Sequence, residues 1–309
     1  MAQIYRSAGK RRGIAFSLCL SLAACATGGS AADQQTDDMG NLALDPGGIV
    51  FGSLDAPGAK RVFDGHPASN DSYPAVGQVF ILDRDYTDPR FNLSSACTGT
   101  LIPGFGRRQA AAGRHLLITA GHCMVDPNSG QQAANARVIF ALAPNSGHSG
   151  WIVYHATRIS ARFDWPSGTD APTQDIALVD VEAVDDGGYT PPMDALYNRS
   201  DLATLRPGAL VYTVGFGAQS AGQTFDEITN NRLRGAYLSV AGASGRFFEL
   251  LDVDGGTCRG DSGGPVYVRT RGGGRRMAAL TSTAPDIACG VKSAQPANFS
   301  RAAPYLYGF

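Results

Sequence analysis

Serine, histidine and aspartate residues in separate segments of this chain are of the types that perform acyl transfer. Ser262 lies in the stretch GTCRGDSGGPV at positions 256 to 266. A serine hydroxyl is a weak nucleophile at neutral pH, so it needs a base within hydrogen-bond reach and an acid that orients the base. Glycines on both sides of a serine also occur in ordinary turns. The stretch therefore identifies a nucleophile only if the rest of the chain supplies its partners.

The positions of the histidines exclude one class of enzyme. The stretch GDSGG at positions 260 to 264 matches the G-x-S-x-G pattern of α/β-hydrolases, in which the acid and then the histidine follow the serine. All five histidines precede Ser262; they are His66, His115, His122, His148 and His155. The order that remains is histidine, aspartate, serine.

Three segments carry residues in that order. They are ITAGHC at positions 118 to 123, DIALV at 175 to 179 and CRGDSGGPV at 258 to 266. Together they resemble the three catalytic blocks of the trypsin/chymotrypsin-like serine proteases. A triad of this kind is recognised by the joint presence of its members, so three blocks in order indicate more than any one of them.

Further segments resemble the same family. They are CTGTLI from Cys97, GFG around Phe216 and TST at 281 to 283. The resemblance extends over about residues 62 to 309. It implies an all-β fold of two six-stranded antiparallel β-barrels, with the active site in the cleft between them and a short C-terminal helix. The 39 glycines and 17 prolines, spread among short apolar runs, also indicate a loop-rich β protein.

The resemblance implies a role for each residue of the site. Ser262 would attack the peptide carbonyl, His122 would take and return the proton, and Asp175 would hold the imidazole tautomer. The backbone N–H groups of Gly260 and Ser262 would form the oxyanion hole. Ser282 is expected beside Asp175 and at the substrate cleft. The implied function is a serine endopeptidase that acts on proteins or peptides.

Two other functions remain open on the same residues. Acyl transfer to a serine also cleaves esters, so an esterase is one alternative. A non-catalytic binding module on the same fold is the other. The net charge of -1 gives no support for a nucleic-acid-binding surface. We expect a monomer.

The resemblance places the floor of the primary specificity pocket at Gly256, followed by Thr257. A pocket without an acid at this floor has no partner for an incoming Arg or Lys, and an unpaired buried charge is costly. The pocket walls would lie near Ala284 and Ala297. These residues predict a preference for small or medium apolar side chains before the cleaved bond.

Six cysteines lie at positions 19, 25, 97, 123, 258 and 289. The last four belong to the part of the chain that we expect to be exported, where an oxidising compartment favours disulfides. Sequence alone permits three pairings of four cysteines, and the resemblance implies Cys97 with Cys123 and Cys258 with Cys289. No C-x-x-C or H-x-x-x-H spacing occurs, so we expect no metal and no other cofactor.

The first 24 residues are typical of an export signal. Basic residues up to Arg12 precede the apolar run GIAFSLCLSLAA, which is too short for a membrane span. The end of the run, LAAC, resembles the bacterial lipobox and implies a lipid on Cys25. The alternative is cleavage at the A-x-A-like ACA, which leaves a secreted chain. We expect residues 25–61 to be a tether or pro-segment, and the protein to be lipid-anchored at the outer membrane or periplasmic.

The start of the expected protease domain, residues 62–309, resembles a zymogen activation site. In KRVFDGHPAS at positions 60 to 69, cleavage after Arg61 would free the amino group of Val62. In the family, the acid that precedes the nucleophile pairs with such a new N-terminus. Asp261 occupies that position here, so we expect cleavage after Arg61 to activate the enzyme.

Overall fold

The computed structural model describes residues 66–87, 92–103, 114–164, 174–185, 189–197, 205–218, 232–244, 247–270, 272–282 and 295–298. The statements below concern this part of the chain. Several predicted features lie outside it and stay predictions: the export signal (1–24), Cys25, the tether (25–61), Arg61, Val62, Ala284, Cys289 and the C-terminal helix.

The described residues form antiparallel β-strands, numbered here in chain order. They are β1 (His66–Pro67), β2 (Val76–Leu82), β3 (Leu93–Ile102), β4 (Arg114–Thr119), β5 (Val138–Leu142), β6 (Ile152–Asp164), β7 (Gln174–Asp185), β8 (Leu210–Gly215), β9 (Arg234–Ser244), β10 (Phe247–Asp252), β11 (Pro265–Arg269), β12 (Arg275–Thr281) and β13 (Gln295–Asn298). Single 3-10 turns occur at His122–Met124 and Asn135–Arg137. In the part of the chain just defined, no helix has the length and apolar character needed to cross a membrane.

The first barrel is closed by β2 to β7 in the order β2-β3-β4-β7-β6-β5. Buried apolar side chains such as Leu101, Leu117 and Phe140 fill its interior, as a small barrel requires. β7 pairs with β4 on one side and with β6 on the other. Because β4 leads into the turn of His122 and β7 begins one residue before Asp175, this barrel positions both side chains.

The second sheet also closes on itself. β8 pairs with both β9 and β11, so that β8 to β13 form a ring, and the two residues of β1 add to β9. Its core contains Val211, Leu238 and Val266. Ser262 lies in the loop between β10 and β11. The predicted all-β fold with two barrels is confirmed for the described residues.

An aromatic cluster joins the segment before the first barrel to the second barrel. The ring of Tyr73 lies 6.0 Å from that of Tyr212 and 5.5 Å from that of Tyr267, measured between centroids. The guanidinium carbon of Arg275 lies 4.1 Å from the centroid of the Tyr73 ring, and its Nη2 donates a hydrogen bond to the carbonyl oxygen of Ser72. Stacking and cation-π contacts of this kind hold the two parts together.

Candidate active site

His122 and Asp175 form a closely hydrogen-bonded pair of titratable groups. The ring Nδ1 of His122 lies 2.8 Å from Oδ2 of Asp175, and the backbone N–H of His122 donates to Oδ1 at 2.8 Å. A carboxylate is an acceptor, so Nδ1 carries the proton and Nε2 is left with a free lone pair. Both oxygens of one acid therefore fix the position and the tautomer of the histidine.

Asp175 is fully buried, with no exposed surface. Besides the two hydrogen bonds from His122, its Oδ2 accepts one from the hydroxyl of Ser282. A buried charge is tolerated when hydrogen bonds compensate for lost hydration, and three donors do so here. Ser282 lies beside Asp175, where the sequence analysis placed it.

The environment of His122 favours its protonated form. Burial of the imidazole lowers the pKa of His122, but the charge of Asp175 and its hydrogen bond together raise that pKa above its ordinary value. The side chain keeps 27% of its surface exposed. This histidine can therefore accept a proton from a neighbouring group and hold the resulting charge against Asp175.

Ser262 reaches the same place from the second barrel. Its hydroxyl donates a hydrogen bond to the carbonyl oxygen of Ser282 at 3.2 Å. The sulfur of Cys123 lies 3.6 Å from the carbonyl oxygen of Ser262 and 3.7 Å from Nε2 of His122. The four predicted residues His122, Asp175, Ser262 and Ser282 thus lie together, although the Ser262 hydroxyl is turned toward Ser282 and not hydrogen-bonded to His122. Such contacts are often made only when a substrate is bound.

The backbone around Ser262 has a conformation that requires glycine. Gly260 has φ of +93° and Gly263 has φ of +80°, a region that other residues rarely adopt. A Cβ on Gly263 would lie 2.0 Å from Oγ1 of Thr119 and 2.4 Å from the carbonyl oxygen of Thr98. Within the described residues, the backbone N–H groups of Gly260 and Ser262 donate to no protein acceptor, so both are free to bind a ligand oxygen.

Two disulfides flank the site. Cys97 and Cys123 are bonded to each other. Cys258 is also disulfide-bonded, and its predicted partner Cys289 lies outside the described residues. The Sγ atoms of Cys97 and Cys123 lie within 4.8 Å of a ring nitrogen of His122, a spacing that a metal ion could bridge. Both sulfurs are already used in the disulfide, so the cluster offers only one imidazole and does not fit a metal site.

Asp261 is buried directly beside the nucleophile. Its Oδ1 accepts the N–H of Gly217 and its Oδ2 accepts the N–H of Cys258, each at 2.8 Å. A Cβ on Gly217 would lie 2.4 Å from the Asp261 carboxyl carbon, which explains the second glycine of the GFG stretch. Burial raises the pKa of Asp261 to about 7, against the opposing effect of the two hydrogen bonds. No cationic side chain among the described residues forms an ion pair with it.

The predicted specificity residues are only partly described. Gly256 and Thr257 are buried, and Ala297 pairs with Thr281 in the backbone of the second barrel. The structure adds a residue that the sequence analysis missed. A Cβ on Gly256 would lie 2.8 Å from Oδ2 of Asp252, so an acid four residues earlier in the chain lies against the expected pocket floor.

Comparison with known protein families identifies a match to this chain. A family model described as the trypsin-like peptidase domain matches residues 97–272, which is more than half of the 309 residues. The matched span includes His122, Asp175 and Ser262. No curated protein matches the chain.

Proposed function

The chain belongs to the trypsin-like peptidase family, and from this premise we propose that it is a serine endopeptidase. The observation that best supports the proposal is the arrangement of His122 on Asp175, 2.8 Å apart, with Ser262 brought beside them by the second barrel. Membership of this family supports a peptidase that acts on protein or peptide substrates. The serine mechanism is our own assignment from these contacts.

The chemistry assigned to the site is acyl transfer. Rotation about the Cα–Cβ bond of Ser262 would move its hydroxyl from Ser282 toward Nε2 of His122. The serine oxygen would then attack the substrate carbonyl as His122 takes its proton, and the carbonyl oxygen would gain negative charge beside the N–H groups of Gly260 and Ser262. His122 would return the proton to the leaving amine. Water would repeat these steps on the acyl-enzyme and release the acid.

One experiment separates this function from its two alternatives. Purified protein is treated with a serine-directed phosphonate, and its hydrolysis of casein is compared with that of a simple ester. A serine endopeptidase is labelled on Ser262 and hydrolyses casein. Labelling with ester cleavage and no proteolysis would favour the esterase, and failure to label would favour the binding module.

We propose further that the pocket for the residue before the cleaved bond prefers small or medium apolar side chains. Gly256 carries no charge at the expected floor, and Asp252, which lies against it, already interacts with another group of the protein. In a panel of peptides that differ only at this residue, kcat/KM should be at least about tenfold higher for Ala, Val or Leu than for Arg. A preference for Arg that disappears in Asp252→Asn would contradict the neutral pocket and would assign its charge to Asp252.

We propose that cleavage after Arg61 activates the enzyme through Asp261. Because burial raises the pKa of Asp261 to about 7, the fold loses stability as the pH rises from about 4, the ordinary pKa of an aspartate, through about 7. Above that pH the loss is the full penalty of an ionised carboxylate buried without a cation. The freed amino group of Val62 would provide a cation for the buried carboxylate and would remove this penalty. The intact mass of the active enzyme should therefore correspond to a chain that begins at Val62.

Two variants control for the activation site. Arg61→Gln should leave the chain uncleaved and inactive, whereas the matched change Lys60→Gln should still be processed after Arg61. An active enzyme that retains the residues before Val62 would contradict the activation proposal without affecting the proposed chemistry.

A further inference from the structure

Thr98 takes part in four hydrogen bonds at the active site, three described here and one from Thr119 described below, and it has no role in the mechanism proposed above. It lies in β3 directly after Cys97 and is fully buried. Its hydroxyl donates to the carbonyl oxygen of Gly260 at 2.8 Å and accepts the N–H of Phe216 at 3.1 Å. Its own N–H donates to the carbonyl oxygen of Ser262 at 2.8 Å. One side chain of the first barrel therefore contacts two segments of the second.

Thr119 extends this contact toward the histidine. Its hydroxyl donates to the carbonyl oxygen of Thr98 at 2.8 Å, and it lies three residues before His122 at the end of β4. Gly263 packs against both threonines so closely that no Cβ fits there. The two threonines thus link the segment that carries the base to the loop that carries the nucleophile.

The hydrogen bonds from Thr98 restrain the loop at Gly260 and Ser262. Glycine has more backbone freedom than any other residue, and Gly260 supplies one of the two N–H groups of the proposed oxyanion hole. The carbonyl groups that Thr98 holds, those of Gly260 and Ser262, lie on either side of the peptide that carries the N–H of Ser262. With both carbonyls fixed, the N–H of Ser262 is restrained from both sides and the backbone of Gly260 is restrained on the side that follows its own N–H.

We propose that Thr98 is a positioning residue that fixes the oxyanion hole through its hydroxyl. The inference rests on the proposed serine endopeptidase function and deepens it. Negative charge develops on the substrate oxygen only as the reaction proceeds, so misdirected N–H groups weaken the transition state more than the bound substrate. Loss of the hydroxyl therefore lowers kcat and leaves KM nearly unchanged.

The test compares Thr98→Val, which has nearly the same shape without the hydroxyl, with Thr98→Ser, which retains the hydroxyl. We expect kcat per phosphonate-titrated site to fall about 10- to 100-fold in Thr98→Val, with KM within about threefold of the unmodified enzyme. Thr98→Ser should recover most of the loss. The inhibition constant of a peptidyl boronate, whose tetrahedral adduct places an oxygen in the oxyanion hole, should rise in Thr98→Val by the same factor as kcat/KM falls.

The matched control is Thr100→Val. Thr100 lies two residues further along β3 and is as fully buried as Thr98, but its hydroxyl has no hydrogen-bond partner in the described part of the chain. This variant should keep its kcat and its thermal midpoint. If Thr98→Val does not fold, Thr98→Ala takes its place, because alanine puts no methyl group where Oγ1 lies.

Three results would overturn the inference. They are an unchanged kcat in folded Thr98→Val, a loss that Thr98→Ser does not recover, and boronate inhibition that stays constant while kcat falls. Failure of the proposed function itself would look different, because the unmodified protein would then neither react with the phosphonate nor hydrolyse peptides.

Discussion

Replacing Ser262 with alanine is expected to lower kcat for casein hydrolysis by about a millionfold and to abolish phosphonate labelling. The variant keeps His122 and the N–H groups of the loop, but no atom remains that can form the acyl-enzyme. Other parts of the site would still support a residual rate of about a thousandfold over that in water. The measurement is active-site titration with the phosphonate, followed by casein hydrolysis at known protein concentration.

The matched control for this change is Ser129→Ala. Ser129 is exposed and lies in the turn after Asp126, where its hydroxyl accepts the N–H of Gln131. The Ser129→Ala variant should react with the phosphonate and hydrolyse casein like the unmodified protein. A phosphonate adduct that persists in Ser262→Ala, located by peptide mapping to another residue, would refute the assignment of Ser262 as the nucleophile.

Asp175→Asn is expected to lower kcat by about ten-thousandfold. Asp175 accepts the ring and backbone N–H groups of His122 and the hydroxyl of Ser282. An asparagine amide offers one oxygen and an NH₂ group, which would face a donor or force the imidazole into the wrong tautomer. The measurement is kcat/KM as a function of pH for a peptide substrate.

The pH dependence of kcat/KM provides a second test, and the direction of its change can be predicted. Asp175 raises the pKa of His122 in the folded enzyme, and a general base must be unprotonated to act. Activity should therefore fall as the pH drops through this raised pKa, and in Asp175→Asn the fall should move to lower pH. Asp180→Asn on the same strand should change neither kcat nor the profile. A profile that does not move in Asp175→Asn would contradict the coupling of the two groups.

The residues proposed to do chemistry could be selected from the sequence because their order along the chain is restrictive. With no histidine after Ser262, the serine, acid, histidine order of the α/β-hydrolases was excluded, and the flanking motifs then indicated a position for each group. The antiparallel barrels followed from the same resemblance. The closure of the second ring depends on β8 pairing with both β9 and β11, a register that no local pattern specifies.

The residues that hold the site in place were harder to find. Thr98 contacts Gly260 across 162 positions of sequence, and Asp252 reaches Gly256 only because the chain bends back between them. Neither contact leaves a local pattern. The stretch CTGTLI does not separate the two cases, because it holds two buried threonines, and the hydroxyl of Thr100 has no hydrogen-bond partner among the described residues. Only the fold shows that the hydroxyl of Thr98, and not that of Thr100, meets the loop of the second barrel.

The division of the proposed site between two barrels would also delay proteolytic activity until the chain has folded. His122 and Asp175 belong to one barrel and Ser262 to a loop of the other, so in the proposed mechanism neither half could cleave a peptide bond alone. Barrels built from distant pairings form slowly, and during that time the new chain exposes bonds that a protease could attack. His122, Asp175 and Ser262 come together only after most of those peptide bonds are already paired in strands. On the proposed mechanism, a newly made chain would therefore cleave no neighbouring chain before both of its barrels have formed.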